Sequence, residues 1–306
     1  MEVEVFTSDR LRFADGSPVR AASAVVPFGD GHLVVSDDAT HAAWFRRGEQ
    51  PARVRLLPPV DGHEVFDEES GTKDLKPDLE TACEVSGEGA SGVLVMGSGS
   101  SPRRMRWCLL RLADSRPDVV VANMAPVYAS VATTLDIDPE MLNLEGACVV
   151  GSSLRWFHRG LPSAGLMSAS VDLDLDEVWA AALGRADAAD LRVTRPQHYD
   201  LGAVDGVALA ITDVVALPGG DVLACAAAED SPNPRDDGPV TATGLARIRG
   251  DRVDEVVPLP RVGGEVLKVE GLMVLDAHER EAVLLAVTDV DDPDAPSRAV
   301  RIVVRL

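Results

Sequence analysis

The amino-acid sequence predicts an all-β fold, a five-bladed β-propeller. Five short segments resemble one another, and each places one oxygen-bearing side chain just ahead of a small or apolar stretch that favours a β-strand. The steps between these side chains are 57, 65, 67 and 58 residues, so the 306 residues hold five copies of one unit. A fixed period of this kind indicates a repeat architecture. The segments are AASAVVPF at 21–28, DLETACEV at 78–85, NLEGACVV at 143–150, AITDVVAL at 210–217 and KVEGLMVL at 268–275.

Each copy divides into short apolar stretches that are separated by turn residues. In the first copy these stretches are SAVVPF, HLVVSDD, AAWFRR and ARVRLL, with Gly-Asp-Gly between the first two. Four short strands with Gly, Asp and Pro at the turns are typical of one propeller blade. The second and fourth copies follow the same order. The third copy is the least regular, and its segment 176–191 could form a short helix instead.

The two ends of the chain predict how the ring closes. The fifth copy offers only three strands, whereas the N-terminal stretch from MEVEVF to Phe13 precedes the first copy without a partner. A propeller closes its ring to remove exposed sheet edges. We therefore expect the N-terminal strand to complete the last blade. No Gly/Ser-rich linker interrupts the sequence, which predicts a single domain over residues 1–306.

The charge balance limits the partners that the protein can have. The chain carries 29 basic and 50 acidic residues, a formal net charge of −21 and a pI of about 4.6. This charge opposes binding to a phosphate backbone, so we expect no nucleic-acid partner. Such acidity commonly serves solubility. A concentrated carboxylate site that holds cations is the alternative.

The N-terminus and the apolar stretches predict the cellular location, and the cysteine spacing predicts the role of the cysteines. MEVEVFTSDR lacks the basic and apolar regions of a secretory signal, and no apolar stretch reaches the length of a membrane span. The expected location is the cytoplasm, with no membrane partner. The four cysteines lie in apolar stretches without C-x-x-C spacing. They are expected to be buried small hydrophobes rather than metal ligands or disulfides.

Propeller geometry places the first strand of each blade around a central channel, so the five oxygen-bearing side chains should ring one mouth of it. Converging carboxylates resist joint ionisation, and a divalent cation between them would resolve the repulsion. An all-oxygen ligand set suits a hard ion, and Ca²⁺ better than Mg²⁺. The alternative is that these side chains cap the inner strands and hydrogen-bond to neighbouring loops. The ring residues are Ser23, Glu80, Glu145, Thr212 and Glu270.

These motifs resemble the calcium-activated nucleotidases, or apyrases, a family of five-bladed propellers with one Ca²⁺ in the central channel. Four positions fall on that family's ring of Ser and Glu: Ser23 in SAVV, Glu80 in LETA, Glu145 in LEGA and Glu270 in KVEGL. VVSDDAT resembles its first-blade Asp-Asp turn, whereas Thr212 or the adjoining Asp213 stands where a Ser is expected. The resemblance implies a channel Ca²⁺. GSGSSPRR and LEGA also resemble a bacterial family of unknown function, so a different role on the same scaffold stays open.

The turn GSGSSPRR at 97–104 should lie at the same mouth, where it could bind a phosphate group. Backbone N–H groups and guanidinium groups both suit an anion. A Gly/Ser-rich hairpin turn needs no ligand, however, and the nearby lysines could simply lie at the surface. The residues expected to contact a phosphate-bearing small molecule are Ser98, Ser100, Arg103, Arg104, Lys76 and Lys268.

Two functional hypotheses follow from the predicted mouth. In the first, the protein is a metal-dependent phosphoanhydride or phosphoester hydrolase, and Asp37, Asp38 or His158 orients an attacking water. In the second, it is a non-catalytic propeller with a structural channel cation that serves as a ligand- or protein-binding module. Coordination positions that are open toward the mouth favour catalysis, and an ion sealed by protein oxygens favours a structural role.

Overall fold

The computed structural model describes residues 1–231, 233–234, 238–290, 292 and 294–306, with the backbone alone for residues 7 and 8. Five antiparallel sheets form a five-bladed β-propeller, as the sequence predicts. Neither helix in this part of the chain has the length and apolar character needed to cross a lipid bilayer.

The strands follow the predicted order within each blade. The N-terminal strand is β1 (Glu2–Arg10), and blade one contains β2 (Ala22–Phe28), β3 (Gly31–Ser36), β4 (His41–Arg46) and β5 (Ala52–Arg55). Blade two contains β6 (Leu79–Gly87), β7 (Ala90–Gly97), β8 (Arg106–Ala113) and β9 (Arg116–Asn123). Blade three contains β10 (Leu144–Val150), β11 (Ser153–His158), β12 (Ser168–Asp174) and β13 (Val193–Tyr199).

Blades four and five differ from the first three blades in the strands that make up their sheets. Blade four has a short additional strand, so its sheet contains β14 (Ala203–Val204), β15 (Val207–Ala216), β16 (Val222–Glu229), β17 (Val240–Arg249) and β18 (Arg252–Pro258). Blade five contains β19 (Val269–His278), β20 (Glu281–Thr288) and β21 (Arg298–Arg305). Its outermost strand is β1, which pairs antiparallel with β21, with Val3 opposite Val304 and Val5 opposite Ile302. The predicted N-terminal closure is thereby confirmed.

The apolar core lies between neighbouring sheets, and two helices add to it. The helix α1 (Ala125–Leu135), which the sequence analysis did not predict, buries Tyr128 between the second and third blades. The Tyr128 ring packs edge-on against Trp156 with 4.9 Å between centroids, and its hydroxyl donates to the Gly97 carbonyl at 2.8 Å. The helix α2 (Leu175–Ala182) lies in the segment for which a helix was the predicted alternative. Asp174 caps it by accepting hydrogen bonds from two backbone N–H groups.

The five predicted ring residues occupy structurally equivalent positions. In every blade the innermost strand has an extra residue relative to its partner at the position of the predicted ring. A β-bulge bends its strand and re-aims its side chain, and bulges are common next to functional sites. Each inner strand therefore has a β-bulge at the equivalent position of the repeated sequence.

Close packing of the inner strands explains why a glycine follows both Glu145 and Glu270. A Cβ at Gly271 would lie 2.8 Å from the Cα of Ala24 on the next inner strand, and one at Gly146 would lie 3.0 Å from the Val214 nitrogen. The inner strands approach each other too closely there for a larger side chain. Further along the channel the same five strands present mainly apolar side chains. The four cysteines are buried and unpaired, as expected.

Candidate functional site

Each blade brings the same set of positions to one mouth of the channel. One is the bulged ring residue, and the second is the residue two places before it. The third is the residue that directly follows the second strand of the blade. In four blades the backbone N–H of this third residue donates a hydrogen bond to the backbone carbonyl of the residue two places before the ring residue. These bonds run from Asp37 to Ala21 at 3.1 Å, Ser98 to Asp78 at 2.9 Å, Arg159 to Asn143 at 2.9 Å and Asp289 to Lys268 at 3.2 Å.

These positions surround a cavity of about 70 Å³ that opens at the mouth. Among the described residues, its lining contains six acidic and four basic side chains, which leaves two negative charges if all of them are ionised. Ser23, Glu80, Glu145 and Glu270 of the predicted ring belong to the lining, and Thr212 does not. The acidic members are Asp37, Asp78, Glu80, Glu145, Glu270 and Asp289, and the basic members are Lys76, Arg104, Arg159 and Lys268.

Three carboxylates on one side of the cavity form a tight group, which we call the acidic cluster: Asp37, Asp78 and Glu80. Oxygens of all three lie within 4.8 Å of one another. The Lys76 ammonium contacts Asp37 and lies 2.7 Å from Asp78 Oδ1. Burial would lower the pKa of Lys76, but these carboxylates raise it well above its usual value. Lys76 therefore carries a positive charge at neutral pH.

Glu80 is the member of the acidic cluster that lacks such a partner. Its carboxyl group forms neither a hydrogen bond nor an ion pair with any residue that the structure describes. Burial, followed by the charges of Asp78 and Asp37, raises the pKa of Glu80 well above its usual value. The Glu80 carboxyl therefore either keeps its proton or requires a cation beside it.

Asp78 organises the turn that the sequence analysis proposed as a phosphate site. Its carboxylate accepts hydrogen bonds from the Ser98 hydroxyl and from Arg104 Nη1 at 2.8 Å, and Ser100 lies 2.9 Å from both. Burial opposes ionisation of this carboxyl group, but Lys76 and Arg104 lower its pKa to about 2. The buried serines and Arg104 thus bind a carboxylate of the protein itself.

A second ion-pair network lies on the opposite side of the cavity. Arg159 donates to Glu145 Oε1 at 3.0 Å and to Glu229 Oε2 at 2.6 Å. Asn143 donates a further hydrogen bond to Glu145 at 2.7 Å. In blade five the Lys268 ammonium lies 3.5 Å from Glu270. The lysine and arginine side chains are therefore distributed around the cavity and not confined to one side.

The two hydroxyl residues of the ring form hydrogen bonds between neighbouring inner strands. The Ser23 hydroxyl donates to the Leu79 carbonyl at 2.6 Å, and the Thr212 hydroxyl donates to the Val269 carbonyl at 2.7 Å. Asp213, the alternative at the fourth position, accepts the Leu272 N–H at 2.6 Å. Thr212 and Asp213 both bind the next inner strand, so blade four contributes no ring side chain to the cavity lining.

Three predicted residues lie away from the cavity. His158 is fully buried, its Nδ1 lies 2.9 Å from the Asn143 carbonyl, and burial lowers its pKa to about 4. Asp38 lies beneath the mouth, 2.7 Å from Arg20, and burial raises its pKa to about 7. Arg103 points into a groove on the side of the ring. Asp37 is the proposed catalytic residue that lines the cavity.

Sequence reasoning missed Asp78 and Asn143, which both line the cavity. Each stands two residues before a ring glutamate, in DLE and NLE, at the position that Lys268 occupies in KVE. Aligning the repeats on the ring residue and reading this second position in each copy would have found both. The turn between the second and third strands of blade four extends into residues 232 and 235–237, which lie outside the described part of the chain.

Comparison with known proteins assigns a family. Residues 72–293 match the family described as a family of unknown function, DUF6910. The chain belongs to this family. The matched DUF6910 region begins in the loop before blade two and extends into blade five, so it includes Asp78, Glu80, Glu145 and Glu270. No curated protein shows a significant match to the chain.

Several solved structures match this DUF6910 protein along most of its length at low sequence identity. The glutaminyl cyclase of Myxococcus xanthus is 10% identical with a TM-score of 0.51, and the match covers 99% of this chain and 97% of the cyclase. A luciferin-regenerating enzyme is 10% identical (TM-score 0.44, 97% and 94% covered), and a gluconolactonase from Xanthomonas campestris is 13% identical (TM-score 0.34, 97% and 73% covered). The likeness to the cyclase supports the propeller fold alone.

Proposed function

We propose that this propeller binds Ca²⁺ in the cavity at the mouth of its channel, and that the same mouth binds the phosphate group of a small molecule. The observation that carries the proposal is the Glu80 carboxyl, which lies beside Asp37 and Asp78 but forms no ion pair or hydrogen bond with any described residue. The two negative charges that the lining has in excess equal the charge of one divalent cation.

The residues around the acidic cluster fit a hard cation. Asp37, Asp78 and Glu80 supply carboxylate oxygens, and Ser23 keeps its lone pairs because its proton is donated to Leu79. All of these donors are oxygens, and Ca²⁺ accepts six to eight of them, including carbonyl groups and water. Glu145 and Glu270, across the cavity, complete the proposed ring. The resemblance to the apyrases agrees with a calcium site at this mouth.

The basic residues of the lining suit the phosphate-bearing molecule. Lys76 and Arg104 are both held by Asp78, so they stabilise the acidic cluster. Lys268 and Arg159 lie on other sides of the cavity, where they can bind phosphate oxygens as charge-assisted donors. A bound cation would supply further neutralisation of the phosphate charge.

Hydrolysis of the bound molecule is a second candidate function, and Asp37 favours it. One oxygen of this carboxylate has no hydrogen-bond partner among the described residues, while the other contacts Lys76. The carboxylate lines the open cavity and can accept a proton from a water molecule there. A metal-dependent phosphoanhydride or phosphoester hydrolase would use Asp37 in this way.

Calcium should stabilise the protein, and more strongly as the pH rises. The raised pKa of Glu80 stabilises the cation-free fold below about pH 4.5, and this contribution is lost as the pH increases through the folded-state pKa. A cation that needs the ionised carboxylate replaces the lost stability, by about 2.7 kcal/mol at 100 times its Kd. We expect the calcium-induced rise in Tm to be larger at pH 8 than at pH 5.5.

Two glutamine variants test this expectation by differential scanning fluorimetry. Glu80→Gln should remove most of the calcium response, whereas Glu84→Gln, at the other end of the same strand, should keep it. Mg²⁺ should give a smaller rise than Ca²⁺, because it demands a stricter octahedral ligand set. Melting curves that do not move with Ca²⁺ at either pH would exclude the proposed cation site.

Hydrolysis predicts phosphate release that depends on both calcium and Asp37. With Ca²⁺, the protein should release phosphate from members of a panel of nucleotides and sugar phosphates, and Asp37→Asn should reduce the rate by about 100-fold or more. Asp30→Asn, an exposed aspartate paired with Arg46, is the matched control and should not change the rate. If the wild-type protein releases no more phosphate than a heat-treated sample, the hydrolase proposal fails and the binding function remains.

A further inference from the structure

A second cavity lies on the outer side of the ring, between the loop that follows β5, the turn that joins β7 to β8, and strand β9. We call it the side groove. Its volume is about 360 Å³, within the range of about 300–1,000 Å³ that small-molecule sites usually have. Its walls are mostly apolar, and the apolar side chains include Leu57, Pro58, Pro59, Leu75, Pro77 and Val121.

The walls of the side groove are held in place by hydrogen bonds and by proline. The Leu57 N–H donates to the Thr40 carbonyl at 3.0 Å, and Val60 and His63 exchange two backbone hydrogen bonds of 2.9 Å. Each proline has a fixed φ. The groove is therefore largely formed before a ligand arrives, which lowers the entropic cost of binding.

Two arginines give the side groove its charge. Arg103 and Arg106 line it, and neither side chain forms a hydrogen bond or an ion pair with any described residue. Asp61, exposed on the opposing loop, is the other charged residue of the lining, so the groove carries a net charge of +1 in a chain with a net charge of −21. Guanidinium groups bind carboxylate and phosphate groups through paired hydrogen bonds.

We propose that the side groove binds a small amphipathic anion, a molecule with an apolar body and one carboxylate or phosphate group. The apolar body would be buried against the proline and leucine side chains, and the anionic group would bind Arg103 and Arg106. The sequence motif GSGSSPRR thus serves two sites, because Arg104 faces the central cavity and Arg103 faces the side groove.

The side groove is separate from the central cavity, although the same chain segments form a wall of each. Lys76 and Asp78 line the central cavity, whereas the intervening Pro77 lines the groove. An anion can therefore be assigned to one site or the other by substituting residues that belong to a single lining. Lys268 belongs only to the central cavity, and Arg106 only to the groove.

Four probes measured by isothermal titration calorimetry in EDTA test the proposal. Octanoate and octyl phosphate each combine an apolar body with an anionic group, octanol lacks the charge, and acetate lacks the apolar body. We expect at least one of the two amphipathic anions to bind about tenfold more tightly than octanol and acetate. The stronger of the two identifies the anionic group that the groove prefers.

Substitutions locate the site of binding. Arg103→Ala combined with Arg106→Ala should weaken binding at least tenfold, and Val121→Glu should do so through charge repulsion. Arg116→Ala, which changes an exposed arginine of the same blade outside the groove, should leave the affinity unchanged. The proposal is wrong if octanol binds as tightly as the anions, if the double variant keeps wild-type affinity, or if Lys268→Ala removes binding.

Discussion

Removing residues 1–13 should lower the Tm by at least about 10 °C or cause aggregation. Blade five is linked to the start of the ring through β1, which pairs along β21. Without it the edge of β21 is exposed, and exposed edges invite pairing between molecules. Leu11 and Phe13, which are buried in the core between blades one and five, are lost as well.

The closing strand can also be supplied as a separate molecule. A synthetic peptide of residues 1–13 should restore much of the lost Tm, because strand addition uses the same hydrogen bonds as the intact chain. A peptide of the same composition in scrambled order is the control. A truncated protein that remains monomeric with an unchanged Tm would contradict a closure that depends on this strand.

Asp78→Ala should lower the free energy of unfolding by about 3–5 kcal/mol when no cation is present, because it leaves Arg104 buried without its partner. Urea denaturation in EDTA measures the change. The contribution of Asp78 is fully present above its ordinary pKa of 3.8 and is lost as the pH falls toward its folded pKa of about 2. The difference between wild type and variant should therefore shrink below about pH 4.

Two further variants test whether the loss of stability comes from leaving a buried guanidinium group without its partner. Asp118→Ala removes an exposed partner of Arg111 and should cost about 0–1 kcal/mol. Asp78→Ala combined with Arg104→Met should recover much of the stability, since no unpaired guanidinium is then buried at Asp78. If Asp78→Ala costs no more than Asp118→Ala, Asp78 does not organise the mouth of the channel.

The repeat itself was readable from the sequence, because each blade is built from local contacts. An apolar strand, a turn residue and a bulge at the ring position require only neighbouring residues, so five similar segments fold into five similar blades. The helix α1 was missed because its segment APVYASVATTL is rich in small and β-branched residues and carries no capping side chain. Its helical form is favoured by the burial of Tyr128 against Trp156.

What the sequence determined by itself is the five-bladed fold, the strand that closes it and the presence of oxygen-bearing side chains at five equivalent positions. What only the tertiary structure decided is which charges meet at the mouth. Lys76 pairs with Asp37 across 39 residues, and Arg159 pairs with Glu229 across 70. These partners come from different parts of the ring and become neighbours only when consecutive blades pack together. Coulombic attraction depends on distance in space and not on separation along the chain. Spacing in the sequence could therefore locate the ring of side chains. It could not show that Glu80 lacks an ion pair while other carboxylates of the cavity are paired with lysine or arginine.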